Sequence, residues 1–160
     1  MNIKLGVIFG GVSVEHEVSI ISAVQAMQAL DKEKYDIIPI YITKDRQWYT
    51  GEILKDMETY TDMDLLKRYT SNVSLINKKG KFYLQSKGLF KHIVTELDLI
   101  LPVCHGTNME DGTLQGYLQT VGIPYCESDV ASSSVAQDKV TQKLVFQSKN
   151  LPMTAFTWFY

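Results

Sequence analysis

Residues 4–11, KLGVIFGG, decide the fold class. Their apolar side chains follow one another without alternation, which is typical of a strand that is buried on both faces of a parallel sheet. Residues 17–30 then carry apolar side chains at steps of three and four, which predicts one face of an amphipathic helix. A second apolar run follows at residues 35–42. Strand, helix and strand in this order predict the first unit of an α/β fold.

The following segments are shorter and include both hairpin and strand signals. Short strands are predicted at 48–54, 73–76 and 81–84, and Asn77-Lys-Lys-Gly80 predicts a hairpin turn between the last two. Proline lacks a backbone N–H, so Pro39 predicts that the strand at 35–42 is an edge strand or contains a bulge. Between Asp64 and Glu96 lie seven basic residues and no acidic one, which favours a solvated hairpin surface over an anion-binding patch.

A further strand and helix complete the α/β pattern. Residues 97–104 predict a buried strand that ends at His105-Gly106. Leu114, Leu118 and Val121 then follow at helical spacing, and Gly122 stands where a left-handed C-cap is expected. The predicted fold class is therefore α/β, with a Rossmann-like parallel sheet and flanking helices.

The character of the sequence changes after residue 127. A small, polar stretch leads into a predicted helix at 139–149, and residues 154–160 predict a strand that is rich in aromatic residues. An unpaired apolar strand invites aggregation, so this strand is expected to open a second domain. The predicted domains are 1–127 and an incomplete unit at 128–160.

Composition excludes several classes of protein. The 160 residues are 45% apolar and 21% charged, with a formal net charge of −2, which argues against disorder and against binding of nucleic acid. No apolar run approaches the roughly 20 residues that span a bilayer, and no signal-peptide cleavage pattern follows the first strand. Cys104 and Cys126 lack CxxC spacing and are expected to be thiols. These features predict a cytoplasmic protein without a membrane partner.

Two loops carry the candidate chemistry, because ligands of parallel sheets bind at the carboxyl ends of the strands. They are GGVSVEHE at 10–17 and HGTNMEDG at 105–112. Neither contains GxGxxG or GxxxxGK[ST], and Glu15 and Glu17 would repel a phosphate group. Carboxylates there suit an ammonium group instead. The alternative is that Glu15 and Glu17 only stabilise the helix dipole, and that His105 is a turn residue bonded to backbone.

The other two histidines are weaker candidates for a functional role. His16 is predicted on the exposed side of a helix start with a structural role, and His92 on the surface. Three scattered histidines and two distant thiols predict no metal site. The acids at positions 110 and 111 are expected to cap the following helix.

Three longer stretches resemble the D-alanine–D-alanine ligases. Residues 10–19 resemble the first motif of that family, and residues 105–116, continued by GIPY at 122–125, resemble the next. Residues 132–152 are similar to the entry into its ATP-grasp domain. The resemblance implies a leading pre-ATP-grasp domain followed by the start of an ATP-grasp α+β domain. It also implies ligation of two D-alanines through an acyl phosphate for peptidoglycan synthesis, with ATP and Mg²⁺, by a cytoplasmic homodimer.

The same resemblance implies roles for individual residues. Glu15 corresponds to the catalytic, substrate-binding acid that holds the ammonium group of the first D-alanine, and His105 and Gly106 correspond to residues near its carboxylate. Lys139 corresponds to the lysine that reaches the nucleotide phosphates. The magnesium carboxylates of the family lie beyond residue 160, so the chain alone is expected to be inactive.

One departure and two alternatives accompany the resemblance. Met109 stands where the family has glycine, and a positive φ there would strain a methionine. One alternative is a non-catalytic module that dimerises or binds a small molecule. The other is a nucleotide-binding Rossmann protein of a different class, against which Glu15 and Glu17 argue.

Overall fold

The computed structural model describes residues 2–159, in which seven strands form one sheet and five α-helices surround it. The strands are β1 (Ile3–Gly10), β2 (Tyr35–Ile42), β3 (Trp48–Thr50), β4 (Ser71–Lys78), β5 (Lys81–Ser86), β6 (Ile93–Leu97) and β7 (Leu99–Pro102). The helices are α1 (His16–Ala29), α2 (Met63–Tyr69), α3 (Thr113–Val121), α4 (Val130–Gln137) and α5 (Lys139–Ser148).

The sheet is mixed, with strand order β6-β5-β4-β3-β2-β1-β7. Only β2, β1 and β7 run parallel, while β3 to β6 pair antiparallel with their neighbours. The short turn between β4 and β5 permits only antiparallel pairing, whereas the α1 crossover makes β1 and β2 parallel. The α/β prediction is confirmed, and the parallel arrangement is limited to these three strands and an isolated bridge between Ile100 and Tyr125.

The two ends of the sheet meet at Asp98. Strands β6 and β7 occupy opposite ends of the strand order, yet one residue separates them in the chain, so the sheet curls until its edges come together. Asp98 closes the seam: its backbone N–H donates to Lys4 O at 2.9 Å, and its carboxylate accepts from Lys4 N at 2.8 Å. The strand predicted at 97–104 corresponds to β7 at Leu99–Pro102, while Leu97 is the last residue of β6, which lies at the other end of the strand order.

Each face of the sheet is covered by a helix. On one face, α1 buries Ile20, Val24 and Met27 against Phe9 of β1. On the other, Leu114 and Leu118 of α3 pack in a second cluster with these buried partners from the strands: Ile8, Ile40, Val73, Leu75, Leu84 and Ile100. The helical periodicity predicted for both segments is confirmed, and Gly122 ends α3 with φ +88°.

Pro39 lies in an interior strand, because β2 pairs with both β1 and β3. The pairing with β3 covers only residues 40–42, so β3 has already ended opposite Pro39. Thr50 instead donates its hydroxyl to Pro39 O at 2.7 Å. The missing N–H therefore leaves no gap in the ladder, which explains how proline is accommodated away from an edge.

Two predicted strands differ from the structure. The strand predicted at 48–54 ends at Thr50, and a 3₁₀ helix follows at Glu52–Lys55. Residues 151–159 form no regular element, since no neighbouring strand accepts their backbone bonds within the described part of the chain; Tyr160 lies outside it. The hairpin turn is confirmed, with Lys79 and Gly80 both at positive φ.

The segment after residue 127 is helical for longer than predicted. Helix α5 agrees with the prediction at 139–149, but α4 was missed because its serines have low helix propensity. Aspartates cap both: Asp129 accepts from Ser132 N at 2.8 Å, and Asp138 accepts from Thr141 N at 2.6 Å. The division at 127/128 stays a prediction.

Candidate functional site

The two candidate loops emerge side by side because β1 and β7 are parallel neighbours. Ser19 of α1 fixes them to each other: its buried hydroxyl accepts from Gly10 N at 2.8 Å and donates to Val103 O at 2.7 Å. The loop after β1 and the loop after β7 are therefore held at one point of the carboxyl edge of the sheet, where α/β proteins bind ligands.

Glu15 reaches across to the loop after β7. It occupies the N-cap position of α1, yet its side chain caps no backbone N–H and is exposed. Gly106 faces it with φ +77°, and a Cβ built there would overlap Ser13 Oγ and stand 2.8 Å from Glu15 Oε2. Only glycine permits this approach, because any side chain would push the carboxylate away.

Glu17, two residues further on, has a different environment. Its carboxylate pairs with Lys44 Nζ at 2.5 Å, and the hydrogen bond from that lysine lowers the pKa of Glu17. By contrast, no cation of residues 2–159 lies within 4.0 Å of the Glu15 carboxylate. Glu15 is thus the acid whose charge remains available to a ligand.

His105 is half-buried and has side-chain partners on both sides. Its Nε2 lies 3.1 Å from Ser22 Oγ of α1, and its Nδ1 lies 3.8 Å from Glu110 Oε1. The other oxygen of Glu110 accepts from Gly106 N at 2.6 Å. Side chains, and not backbone carbonyls, therefore orient the imidazole, which argues against the interpretation of His105 as a turn residue bonded to backbone.

Asp111 shapes the same loop. Its oxygens accept from Asn108 N at 2.7 Å and from Thr113 N at 3.0 Å, the latter at the first residue of α3. Partial burial alone would raise the pKa of Asp111, but the hydrogen bonds from Thr113 and Asn108 outweigh it and hold the pKa below its ordinary value. The prediction that Asp111 caps the helix entrance agrees with these contacts, whereas Glu110 bonds within the loop.

The prediction that His16 is exposed is wrong. Its ring is buried, with Nδ1 2.7 Å from Gly11 O and Nε2 3.0 Å from Tyr41 Oη. Burial raises the pKa of Tyr41 to about 12, so its hydroxyl stays protonated beside the imidazole. His16 therefore has the structural role that was predicted for it, but from inside the fold.

Met109 is not strained. The left-handed residue of the loop is Asn108, with φ +67°, and Met109 is absent from the positive-φ positions of residues 2–159. Its buried side chain packs on Gly11, where a Cβ would stand 2.5 Å from the Met109 sulfur. The methionine therefore joins the two loops through packing on the side away from Glu15.

Gln115 is a structural element that the sequence did not indicate. This fully buried side chain donates to Met109 O at 2.9 Å and to the carboxylate of Glu127. It thereby ties the loop after β7 to the start of the last segment. Desolvation raises the pKa of Glu127, opposed by the Gln115 hydrogen bond.

Lys139 lies apart from these contacts, on the first turn of α5. Its exposed Nζ donates to Ala136 O at 3.0 Å. No group of three or more histidine, cysteine or acidic side chains suited to a metal ion occurs in residues 2–159. In the same range, no helix is both long and apolar enough to cross a bilayer.

The fold and these loops define an α/β domain whose sheet presents a carboxylate and an imidazole at its carboxyl edge, where ligands of such folds bind. Comparison with known proteins makes this specific. The family model described as "D-ala D-ala ligase N-terminus" matches residues 4–128. The chain belongs to this family.

Three relatives illustrate the similarity. The chain is 40% identical over 156 residues to a D-alanine–D-alanine ligase of Thermosipho melanesiensis, covering 98% of this chain and 42% of that protein. The D-alanine–D-alanine ligase structure from Coxiella burnetii covers 96% of the chain with a TM-score of 0.83 and 29% identity, using 43% of its own length. The VanG D-Ala:D-Ser ligase of Enterococcus faecalis covers 93% with a TM-score of 0.73 and 34% identity, again over 43% of its length. The chain thus spans less than half the length of each of these three relatives.

Proposed function

We propose that this chain supplies half of the first-substrate site of an ATP-dependent D-alanine–D-alanine ligase. The observation that carries the proposal is the approach of the Glu15 carboxylate to Gly106, beside His105, where the loops after β1 and β7 meet. Membership of the ligase family supports the reaction class, and the geometry supports the position of the substrate.

The proposed reaction has two steps. A carboxylate oxygen of the first D-alanine attacks the γ-phosphorus of ATP, which gives an acyl phosphate and ADP. The amine of the second D-alanine then attacks the acyl carbon, the C–O bond to phosphate breaks, and the amine loses a proton as the peptide bond forms. In this scheme, Glu15 binds the ammonium group of the first substrate and so holds its carboxylate toward the nucleotide.

His105 serves as the second contact of the proposed site. With Ser22 and Glu110 on either side, its ring is oriented before substrate arrives, which lowers the entropic cost of binding. Gly106 contributes the space that the side chains of Ser13 and Glu15 need.

Lys139 is the residue of this chain that we assign to nucleotide binding. Lys139 is exposed at the start of α5, and its present hydrogen bond to Ala136 O is one that a phosphate could replace. The described residues contain no cluster of side chains suited to Mg²⁺. The ligands of that ion would belong to the part of such ligases that this chain does not span.

The wider features of the family form part of the same proposal. They are a Rossmann-like pre-ATP-grasp domain at 1–127, the start of an ATP-grasp domain at 128–160, a homodimer, and a cytoplasmic role in peptidoglycan synthesis. Light scattering on the chain tests the homodimer: a mass near twice that of one chain supports it, and a single-chain mass contradicts it.

The enzyme assay uses a polypeptide in which this chain is followed by the remaining segment of the Thermosipho melanesiensis relative. Phosphate release from ATP should require D-alanine and should fail with L-alanine. Glu15→Gln should lower kcat/KM for D-alanine by about 100-fold, because the charge pair between this carboxylate and the substrate ammonium group is lost. Glu17→Gln is the matched control and should change it less than about twofold, since Glu17 pairs with Lys44.

Two results would contradict the proposal. One is phosphate release that does not depend on D-alanine; the other is an equal effect of the Glu15 and Glu17 substitutions. Mass spectrometry of the product distinguishes D-alanyl-D-alanine from D-alanyl-D-serine when both amino acids are supplied.

A further inference from the structure

A cavity lies beside the loops that follow β1 and β7. It has a volume of about 400 Å³ and opens between α3 and the sheet, at the carboxyl edge of β2 and the start of β3. Gly11 and Val12 of the loop after β1 line it together with Asn108 and Met109 of the loop after β7, whereas Glu15 and His105 do not line it. The volume falls within the range of roughly 300–1,000 Å³ that is usual for small-molecule sites.

The floor of this cavity is apolar and aromatic. Met109 and Leu114 belong to the buried core, and the rings of Trp48 and Tyr117 meet edge to face with centroids 5.6 Å apart. Such a floor favours a flat apolar group.

The rim carries positive charge only. Arg46 and Lys87 line the cavity, and none of its lining residues is acidic. Within residues 2–159, no carboxylate lies within 4.0 Å of either cation. Lys87 Nζ donates a long hydrogen bond of 3.4 Å to Gln47 Oε1. Both cations are therefore available to an anionic ligand.

The backbone at Arg46 is a third, independent observation. Arg46 adopts φ +62°, a conformation that glycine or asparagine adopts at lower cost. The tight turn that imposes it is closed by the hydrogen bond from Thr43 N to Gln47 O at 2.9 Å. A charged side chain is thus held at the cavity rim in a strained backbone position, which is typical of functional sites.

We infer that this cavity binds a small amphipathic organic anion, with its flat apolar body on Trp48 and Tyr117 and its acidic group between Arg46 and Lys87. The site is separate from the proposed D-alanine site and does not depend on it. Gly11 and Met109, which line the cavity, belong to the same two loops as Glu15 and His105, so an occupant would contact the loops that form the proposed substrate site.

The fluorescent sulfonate 1-anilinonaphthalene-8-sulfonate is the probe for a titration of the 160-residue chain. We expect one saturable site and a shift of the Trp48 indole resonance in the NMR spectrum, with that of Trp158 unchanged. Competition with 1-naphthoate and 1-naphthyl phosphate determines whether a carboxylate or a phosphate is preferred. Neutral 1-naphthamide should compete at least about tenfold less well, because it cannot pair with the cations.

Arg46→Gly is the decisive variant, because glycine suits the left-handed backbone and removes the guanidinium without disturbing the turn. Arg46→Gly should weaken the binding of the probe about tenfold, and Lys87→Ala should do the same. Lys91 lies in the same loop as Lys87, between β5 and β6, but does not line the cavity. Lys91→Ala is therefore the control and should change the affinity for the probe less than about twofold. The inference is overturned if 1-naphthamide competes equally, if Arg46→Gly and Lys91→Ala act alike, or if Trp48 does not respond.

Discussion

Residues 2–127 and residues 128–159 are stabilised in different ways. The first region has two buried clusters, one on each face of the sheet. In the second region, Ser133 is the one buried residue of α4, and α5 has none. Leu144, Val145 and Phe146 of α5 are all more than a third exposed. Helices gain most of their stability from burial of an apolar face, so α4 and α5 depend here on local capping.

The largest expected effect comes from a matched pair of leucines. Leu118 in α3 is fully buried, whereas Leu144 in α5 is 44% exposed. Leu118→Ala should lower the free energy of unfolding by about 3–4 kcal/mol through the cavity it leaves, and Leu144→Ala by less than about 0.5 kcal/mol. Urea denaturation followed by circular dichroism measures both. Similar losses for the two variants would remove the distinction between the regions.

A pair of glycines refines the comparison within the first region. Gly106 and Gly80 have nearly the same φ, +77° and +81°, but a Cβ at Gly106 meets Ser13 and Glu15, while one at Gly80 meets nothing within 4 Å. Gly80→Ala should therefore cost about 1 kcal/mol from the backbone alone, and Gly106→Ala about 2–3 kcal/mol. Equal costs in thermal unfolding would show that Glu15 and Ser13 do not crowd Gly106.

The cap of α5 tests the second region directly. Asp138 accepts from Thr141 N, and that hydrogen bond lowers the pKa of Asp138. Asp138→Ala should lower the helicity of α5, because it removes the side chain that caps its first turn. Because the sheet does not depend on α5, the helical signal should fall while the urea midpoint of the sheet stays unchanged. A shift of that midpoint would mean that the two regions unfold together.

The smallest effect on the free energy of unfolding is expected at Glu127, where residues 2–127 meet residues 128–159. The pKa of Glu127 is raised above its ordinary 4.5, so its ionisation destabilises the folded state as pH rises through the interval above 4.5. Glu127→Gln should keep the hydrogen bond from Gln115 and remove this destabilisation. We expect the free energy of unfolding to rise by only about 0.3 kcal/mol, because the Glu127 carboxylate still contacts solvent. Unfolding at pH 7 and at pH 3.5 checks the sign: the gain should be present at the first pH and absent at the second.

The same contrast explains how far the sequence predicts the fold. Strand β1 is predicted from a continuous apolar run, and helices α1 and α3 from apolar faces at helical spacing, and all three pack into the buried clusters of the first region. Residues 154–159 have strand-like composition, but a strand needs a neighbour, and composition does not report one. The seam at Asp98 was also missed, because a single residue between two strands gives no sign that they pair at opposite ends of the sheet.

The candidate site could likewise be predicted from local sequence patterns but not where it depends on contacts between distant segments. Glu15 and His105 could be selected from the sequence because both follow apolar strands, and parallel strands end at one edge. The partners of His105 at Ser22 and Glu110, and the burial of His16 under Tyr41, depend on distant segments that only the fold brings together. The cavity with Arg46 and Lys87 was hidden for the same reason, since its cations lie on different turns.

Titration of the isotope-labelled chain with D-alanine, followed through the Gly106 amide resonance, tests the proposed substrate site most directly. The account predicts a saturable shift that Glu15→Gln abolishes, that Glu17→Gln preserves, and that L-alanine does not reproduce. A shift of equal size in the Glu15→Gln variant would contradict it.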